Sequence, residues 1–315
     1  MKKIVCMFIC LSVLAACEDD PKGKDPVDMG TDQGSIKDTT VGDASIDSAD
    51  SSPQQDVGKD SDEDLPDGEN FGVVVPGERC IVSERIGIVV VEKFQKVQVN
   101  ARLFDKPIPS IGDPVLSDEA CSFYEFVPAA NCRNCNNDQT CDGNSVCVDL
   151  PKVFPNGSLK LSDGVSELRV MTDEYGGLSG QLEAAGDTFS IELTLGSSVL
   201  NLPATTIPAP LEGLVSNLSG SYENPDAMDL TWDLPADPAR VFTHVPINHH
   251  VGLEGTFTEC EVDATSKSLH IDGPMLKPLA VATGLEFQTI NHVRFAAAQI
   301  KEGCVEFRFL SSTFP

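Results

Sequence analysis

Apolar and polar residues alternate one by one along much of the chain, and this alternation constrains the fold more than any other feature. Val97–Leu103 and Thr188–Leu195 alternate without a break, and residues 305–309 repeat the pattern near the C-terminus. Successive side chains of a β-strand point to opposite faces, so the alternation predicts strands with one buried and one solvated face. Shorter examples lie at 159–161, 168–170, 230–234 and 245–247. We therefore predict an all-β chain with antiparallel sheets.

Turn-forming residues separate the predicted strands at short intervals, as at Asp163-Gly164 and Asp272-Gly273-Pro274. Many short strands with frequent turns are typical of an antiparallel β-sandwich of the immunoglobulin-like class. Only residues 273–283 favour a helix, of one or two turns. Trp232 alternates with leucines and is predicted to lie in the core.

A proline-rich stretch without a pattern, residues 203–214, predicts a joint between two sandwich domains. We place the N-terminal sandwich at residues 71–205 and the C-terminal sandwich at 206–315. A single larger sandwich is the alternative, because about 245 residues suffice for either arrangement.

The N-terminus has the organisation of an export signal. Two lysines precede an apolar run of about eleven residues, which is too short to cross a bilayer as a helix. The run ends in Leu14-Ala15-Ala16-Cys17, which resembles the lipobox of bacterial lipoproteins. We predict that residues 1–16 form a signal peptide and that Cys17 is lipidated. The protein would then be anchored in the cell envelope, in the outer membrane, facing the periplasm or the cell surface; an ordinary secretory signal is the alternative.

Residues 18–70 contain seventeen acidic residues, four basic residues and no aromatic residue. Such a segment buries too little apolar surface to offset its ordering entropy, so residues 17–70 are predicted to form a disordered acidic tether. The whole chain carries a formal net charge of −27. This charge argues against nucleic acid as a partner.

Eight cysteines follow Cys17, an even number that in an exported protein predicts disulfide bonds. The predicted pairs join Cys260 to Cys304, Cys80 to Cys121, Cys132 to Cys141 and Cys135 to Cys147. A direct Cys132–Cys135 bond is ranked lower because it would close a strained ring.

Four of these cysteines lie in the short stretch 131–147, "NCRNCNNDQTCDGNSVC". We predict a loop stapled by disulfides, since an oxidising compartment disfavours the thiolates of a zinc site. A calcium loop is a further hypothesis, because three acidic residues fall at ligand positions of an EF-hand-like register. These weak calcium candidates are Asp138, Asp142 and Asp149.

The order of these features resembles a group of exported lipoproteins from myxobacteria-like Gram-negative bacteria. The shared features are the lipobox, the acidic tether, the cysteine-rich loop, a "G-x-L-x-L" strand at 157–161, a tryptophan strand at 230–235, the pair His249-His250 and a cysteine strand at 260–263. The resemblance implies a β-fold and an envelope location, and it implies no particular chemistry.

No motif for catalysis is apparent, so no catalytic residue is assigned. The histidine pair at 249–250 lacks a metal-binding pattern and is interpreted as a surface or loop feature. We predict a non-enzymatic binding or adhesion module without a cofactor, whose partner is the membrane through the lipid anchor and an envelope or surface protein or polysaccharide. The alternatives are an extracytoplasmic hydrolase with an unrecognised pair of carboxylates and a calcium-dependent binding module.

Overall fold

The computed structural model describes residues 72–109, 112–125, 135–136, 138–142, 146–173, 176–246, 256–280 and 289–313. The predicted signal peptide, Cys17 and the acidic tether lie outside these residues. So do His249 and His250.

The described residues form nineteen β-strands and one α-helix, with two short 3-10 turns at Val82–Glu84 and Ala264–Ser266. In chain order these are β1 (Val74–Pro76), β2 (Arg85–Lys93), β3 (Val97–Leu103), β4 (Leu116–Ser117), β5 (Cys121–Tyr124), β6 (Gln139–Cys141), β7 (Cys147–Asp149), β8 (Ser158–Ser162), β9 (Glu167–Met171), β10 (Gly177–Leu182), β11 (Thr188–Leu195), β12 (Ser198–Thr206), β13 (Val215–Gly220), β14 (Pro225–Thr231), β15 (Arg240–Pro246), β16 (Phe257–Asp263), β17 (Ser268–Asp272), α1 (Gly273–Ala280), β18 (Ile290–Ile300) and β19 (Gly303–Thr313).

A ten-stranded main sheet organises the fold, in the order β10-β3-β2-β19-β18-β15-β16-β5-β4, with β1 also paired to β18. All of its described pairings are antiparallel except that of β19 with β2, which is parallel. The longest strands, β18 and β19, lie near the centre of the sheet. The main sheet therefore joins strands from both ends of the chain.

Two smaller sheets cover one face of the main sheet, which we call the inner face. The four-stranded sheet β12-β11-β8-β9 packs on strands β2, β3, β10, β18 and β19 through a core that includes Phe189, Phe307 and Phe309. The three-stranded sheet β13-β14-β17 and helix α1 pack on β5, β15 and β16 through a second core around Leu230 and Leu276. The prediction of an all-β, antiparallel sandwich with disulfide bonds is confirmed.

The alternating segments form strands as predicted, and helix α1 lies within the predicted stretch 273–283. Trp232 is buried, and its indole nitrogen donates a hydrogen bond to the carbonyl of Ala264 at 2.7 Å. One expectation was wrong. The polar residues of 305–309 do not face solvent, since Glu306 and Arg308 are both buried, because the second face of the sheet is also covered here.

The predicted joint, residues 203–214, is divided between two kinds of structure. Residues 203–206 are the end of strand β12, and residues 207–214 form no strand. Strands from both sides of the predicted boundary share the main sheet, with β2, β3 and β10 among those on one side and β15, β16, β18 and β19 on the other. The division into sandwich domains 71–205 and 206–315 stays a prediction.

Four cysteines form disulfide bonds with partners other than the predicted ones. Cys80 is bonded to Cys304, and Cys121 is bonded to Cys260. The predicted bonds Cys260–Cys304 and Cys80–Cys121 were therefore wrong, because the main sheet pairs strands that are far apart in sequence. Cys121 and Cys260 face each other in the pairing of β5 with β16.

The predicted Cys135–Cys147 bond is confirmed, and it staples the hairpin formed by β6 and β7. Cys132 lies outside the described residues, so its bond to Cys141 stays a prediction.

Candidate functional site

The outer face of the main sheet, opposite the two cores, carries a group of buried charges. We call this group the charged cluster: Arg79, Arg85, Glu259, Glu306 and Arg308. Arg79 contacts Glu259 at 2.5 Å, and Arg308 contacts Glu306 at 2.6 Å. Arg85 lies 3.3 Å from Glu259 and 3.6 Å from Glu306. The cluster is thus a continuous network of ion pairs.

Strand geometry explains how distant residues meet in this cluster. Glu306 and Arg308 are two residues apart on β19, so both project from the outer face. Arg85 begins the neighbouring strand β2, and Glu259 projects from β16. Arg79 belongs to the segment after β1, which is fastened by the Cys80–Cys304 bond and by a hydrogen bond from the Cys80 amide to Glu306 at 3.1 Å.

Aromatic rings form the floor beneath the guanidinium groups. The Arg79 guanidinium lies 4.8 Å from the ring centres of both Phe242 and Phe295, and that of Arg308 lies 4.5 Å from the ring of Phe242. The rings are perpendicular to each other, with centres 5.5 Å apart. Each of these guanidiniums therefore has a π-face on one side and carboxylates on another, an arrangement that favours its charged form.

Both buried carboxyl groups are held ionised. Burial alone would raise their pKa values, but the proximity of His244 to Glu259, at 3.5 Å, and the three arginine charges outweigh it. The pKa of Glu259 lies well below its usual range, and that of Glu306 is also lowered. Burial would lower the pKa of Arg79, yet the charges of Glu259 and Glu306 raise it.

The cluster brings two carboxylates together, as the hydrolase hypothesis requires, but it does not divide their roles. A general acid needs a raised pKa while its partner stays ionised. Here the pKa values of Glu259 and Glu306 are both lowered, and both carboxylates form ion pairs with arginines. This geometry favours a structural ion-pair network over an acid–base pair.

An open groove of about 510 Å³ lies beside the charged cluster on the outer face, above β2, β3 and β10. Its lining is fixed by strand register. Arg102 of β3 faces Ile88 of β2, and Asn100 of β3 lies between Val90 of β2 and Ser179 of β10. The apolar side chains Phe104 and Ile108 complete the wall beside Arg102.

The groove combines an apolar surface with a few polar groups that converge on it. This combination and this size are typical of ligand sites in proteins. Arg102, Asn100 and Ser179 are exposed, so their polar atoms are accessible to a ligand. Gly87 also lines the groove and allows β2 and β3 to approach closely, since a Cβ atom there would lie 2.3 Å from the carbonyl oxygen of Arg102.

The calcium candidates lie in the β6–β7 hairpin, where they make local hydrogen bonds. Asp142 accepts a hydrogen bond from the Val146 amide at 2.8 Å, and Asp149 accepts one from the Gln139 side chain at 3.3 Å. Asp138 accepts one from Leu150 through its backbone carbonyl at 2.8 Å. Among the described residues, no group of three or more potential ligands is brought together as a metal site. Calcium binding stays a prediction.

Of the histidines, His270 lies exposed between Asp229 at 2.6 Å and Asp272 at 3.1 Å. These two carboxylates raise its pKa. His292 is buried on the inner face and bonds to the Ala209 carbonyl at 2.7 Å. Neither belongs to the groove.

Sequence reasoning did not identify the charged cluster or the groove. The only local signal for the cluster was the alternation of Glu306 and Arg308 with the apolar residues of 305–309, which we interpreted as a solvated face. Nothing in the sequence around Arg102 distinguishes it from other polar residues of alternating strands. Strands β2, β3 and β10 have to be placed side by side before its groove exists.

No family model matches the chain. No curated protein sequence matches it either. Within the described part of the chain, no helix has the length and apolar character needed to cross a membrane.

Among solved structures, the FN1–FN3 domains of chicken CNTN1 align with 69% of this chain and 78% of their own, at 9% identity and a TM-score of 0.19. A segment of two fibronectin type III domains from chicken tenascin aligns with 66% of this chain and 98% of its own, at 13% identity and a TM-score of 0.17. A 1.5-MDa bacterial ice-binding adhesin aligns with 53% of this chain and 55% of its own, at 14% identity and a TM-score of 0.18. Similarities with scores this low do not define the fold, which is defined by its strand pairing.

Proposed function

We propose that this protein is a membrane-anchored, extracytoplasmic lipoprotein that binds a partner of the envelope or of a neighbouring surface without catalysing a reaction. The groove on the outer face is the observation that carries the binding role. The lipobox at Leu14-Ala15-Ala16-Cys17 supports the anchor, and the acidic residues 18–70 support a tether of considerable reach.

The groove suits binding because its walls come from rigid elements. Three hydrogen-bonded strands set the spacing of Ile88, Asn100, Arg102 and Ser179, so the site is formed before a ligand arrives. The neighbouring ion-pair network anchors one end, because Arg85 belongs to both the cluster and the groove lining. A preformed site of this kind loses little conformational entropy on binding.

The binding role is tested by blocking the groove in the full chain. We expect Ser179→Trp to lose capture of envelope or extracellular components in a pull-down, because the indole fills the space above Asn100. The matched control is Gln181→Trp, also exposed on the outer face of β10 but outside the groove lining. Equal capture by the two variants and the unaltered chain would contradict the proposal.

The anchor is tested separately by metabolic labelling with an alkyne-tagged fatty acid. We expect the label on the unaltered chain and its loss in Cys17→Ser, which removes the acylated sulfur. Cys10→Ser, within the apolar run, is the control and should keep the label. Persistent labelling of Cys17→Ser would contradict lipidation at this residue.

A further inference from the structure

Arg102 differs from the other arginines whose positions the structure describes. Arg79, Arg85, Arg169, Arg240, Arg294 and Arg308 each lie within ion-pair distance of a carboxylate. Arg102 has no such partner among the described residues. Its guanidinium lies 5.5 Å from the ring centre of Phe104, a contact that orients the group and leaves its N–H donors available.

The groove around Arg102 contains no described acidic residue in its lining, although the chain has 49 acidic and 22 basic residues. The other arginine in the lining, Arg85, is neutralised by Glu259 and Glu306. Arg102 therefore supplies the available positive charge of the groove. A hollow of about 230 Å³ beside the cluster is more acidic, because its lining has four carboxylates and two arginines: Asp118, Glu119, Glu259, Glu261, Arg79 and Arg240.

The walls on either side of Arg102 are mostly apolar. Ile88, Val90, Phe104 and Ile108 present carbon surface, and Asn100 and Ser179 offer the polar groups beside it. A planar guanidinium pairs best with a carboxylate through two parallel hydrogen bonds. Burying carbon surface against the walls adds affinity in proportion to the area removed from water.

We propose that the groove binds a carboxylate carried on an apolar body, with the carboxylate held by Arg102 and the body lying along Ile88 and Val90. An aliphatic or aromatic carboxylic acid has this chemistry, and a volume of about 510 Å³ accommodates one. This inference rests on the proposed binding function and names its ligand class.

Calorimetry with decanoate tests the proposal, using the full chain with Cys17→Ala so that no lipid or detergent competes. We expect one decanoate site, and a loss of affinity of about ten- to hundred-fold in Arg102→Gln, the usual range for a hydrogen bond to a charged group. Arg102→Lys should recover part of this loss because it restores the charge. Arg169→Gln is the control, since Arg169 is paired with Glu167 on β9, away from the groove.

Two further probes separate the carboxylate from the body that carries it. Decan-1-ol should bind more weakly than decanoate and should not distinguish Arg102→Gln from the unaltered chain. A trigalacturonate has carboxylates on polar sugars and should not compete with decanoate. The melting temperature of Arg102→Gln should match that of the unaltered chain, which separates lost binding from lost folding.

Three results would overturn the inference: no heat of binding with decanoate, equal decanoate affinity in Arg102→Gln, or binding of trigalacturonate alone. If decanoate fails while Ser179→Trp still abolishes capture of envelope components, the groove binds a ligand of another class and the proposed function stands. If Ser179→Trp leaves capture intact, the proposed function itself fails.

Discussion

Glu259 contacts all three arginines of the charged cluster. Its side chain is 4% exposed and contacts Arg79, Arg85 and Arg308, with His244 at 3.5 Å. A buried carboxylate in such a network stabilises the fold chiefly by preventing several buried cations from being unpaired. Removing the Glu259 carboxylate therefore lowers the free energy of unfolding by more than the ion pairs themselves contribute to it.

We expect Glu259→Gln to lower the free energy of unfolding by about 3–5 kcal/mol, because the amide keeps the shape of the side chain and leaves Glu306 as the one carboxylate that contacts all three arginines. The control is Glu261→Gln, two residues along β16. Its side chain is 21% exposed, and the loss should be at most about 1 kcal/mol. Urea denaturation measures both values. Equal losses would show that burial does not govern the contribution of the network.

Trp232 gives a second prediction for a single residue. Trp232→Ala should cost about 3–5 kcal/mol, since it opens a cavity in the core and leaves the Ala264 carbonyl without its indole donor. Leu234→Ala is the control, because Leu234 is 57% exposed and its loss should change stability by less than about 0.5 kcal/mol. If the denaturation curves of the two variants coincide, Trp232 does not have the predicted role in the core.

At the scale of elements, the sequence predicts most of the individual strands and little of their arrangement. Alternation is a local signal, so it identified β3 and β11 and the course of β19. Which strands become neighbours depends on contacts across the whole chain, as the pairing of β5 with β16 illustrates. The disulfide pairs follow those neighbours, and among the bonds that the structure describes, pairing by closeness in sequence was right only for Cys135–Cys147. The groove could not be predicted for the same reason.

The two kinds of disulfide bond should differ in their effect on stability. The Cys80–Cys304 bond spans 224 residues, and the Cys135–Cys147 bond spans 12. We expect the double variant Cys80→Ala/Cys304→Ala to lose roughly 2 kcal/mol more than Cys135→Ala/Cys147→Ala, because the longer bond restricts the unfolded chain more strongly. Guanidinium denaturation under non-reducing conditions compares them. A larger loss for the short hairpin would reject this explanation.

For the molecule as a whole, the buried carboxylates contribute to how stability responds to acid. The pKa values of Glu259 and Glu306 are lowered in the folded protein, so folding favours their ionised forms. The resulting stability is present above their ordinary pKa near 4.5 and is lost as the pH falls. Glu92 acts in the opposite sense, since burial raises its pKa, and the raised pKa of His270 adds stability that is lost as the pH rises.

We expect the melting temperature of the protein to fall as the pH drops below about 5, because the unfolded chain takes up protons at these two glutamates more readily than the folded protein does. The fall should be shallower in Glu259→Gln, which has one such group fewer. Scanning fluorimetry at constant ionic strength measures both profiles. Parallel profiles for the two proteins would mean that other carboxylates cause the acid response.

The parallel pairing of β2 with β19 has a consequence for the order in which the molecule is assembled. Strand β19 lies between β2 and β18, so the main sheet stays in two parts until residues 303–313 have been synthesised. A chain that ended before Gly303 would leave Cys80 without its partner and an edge of β2 open to other molecules. Biogenesis of this protein therefore depends on the synthesis of β19.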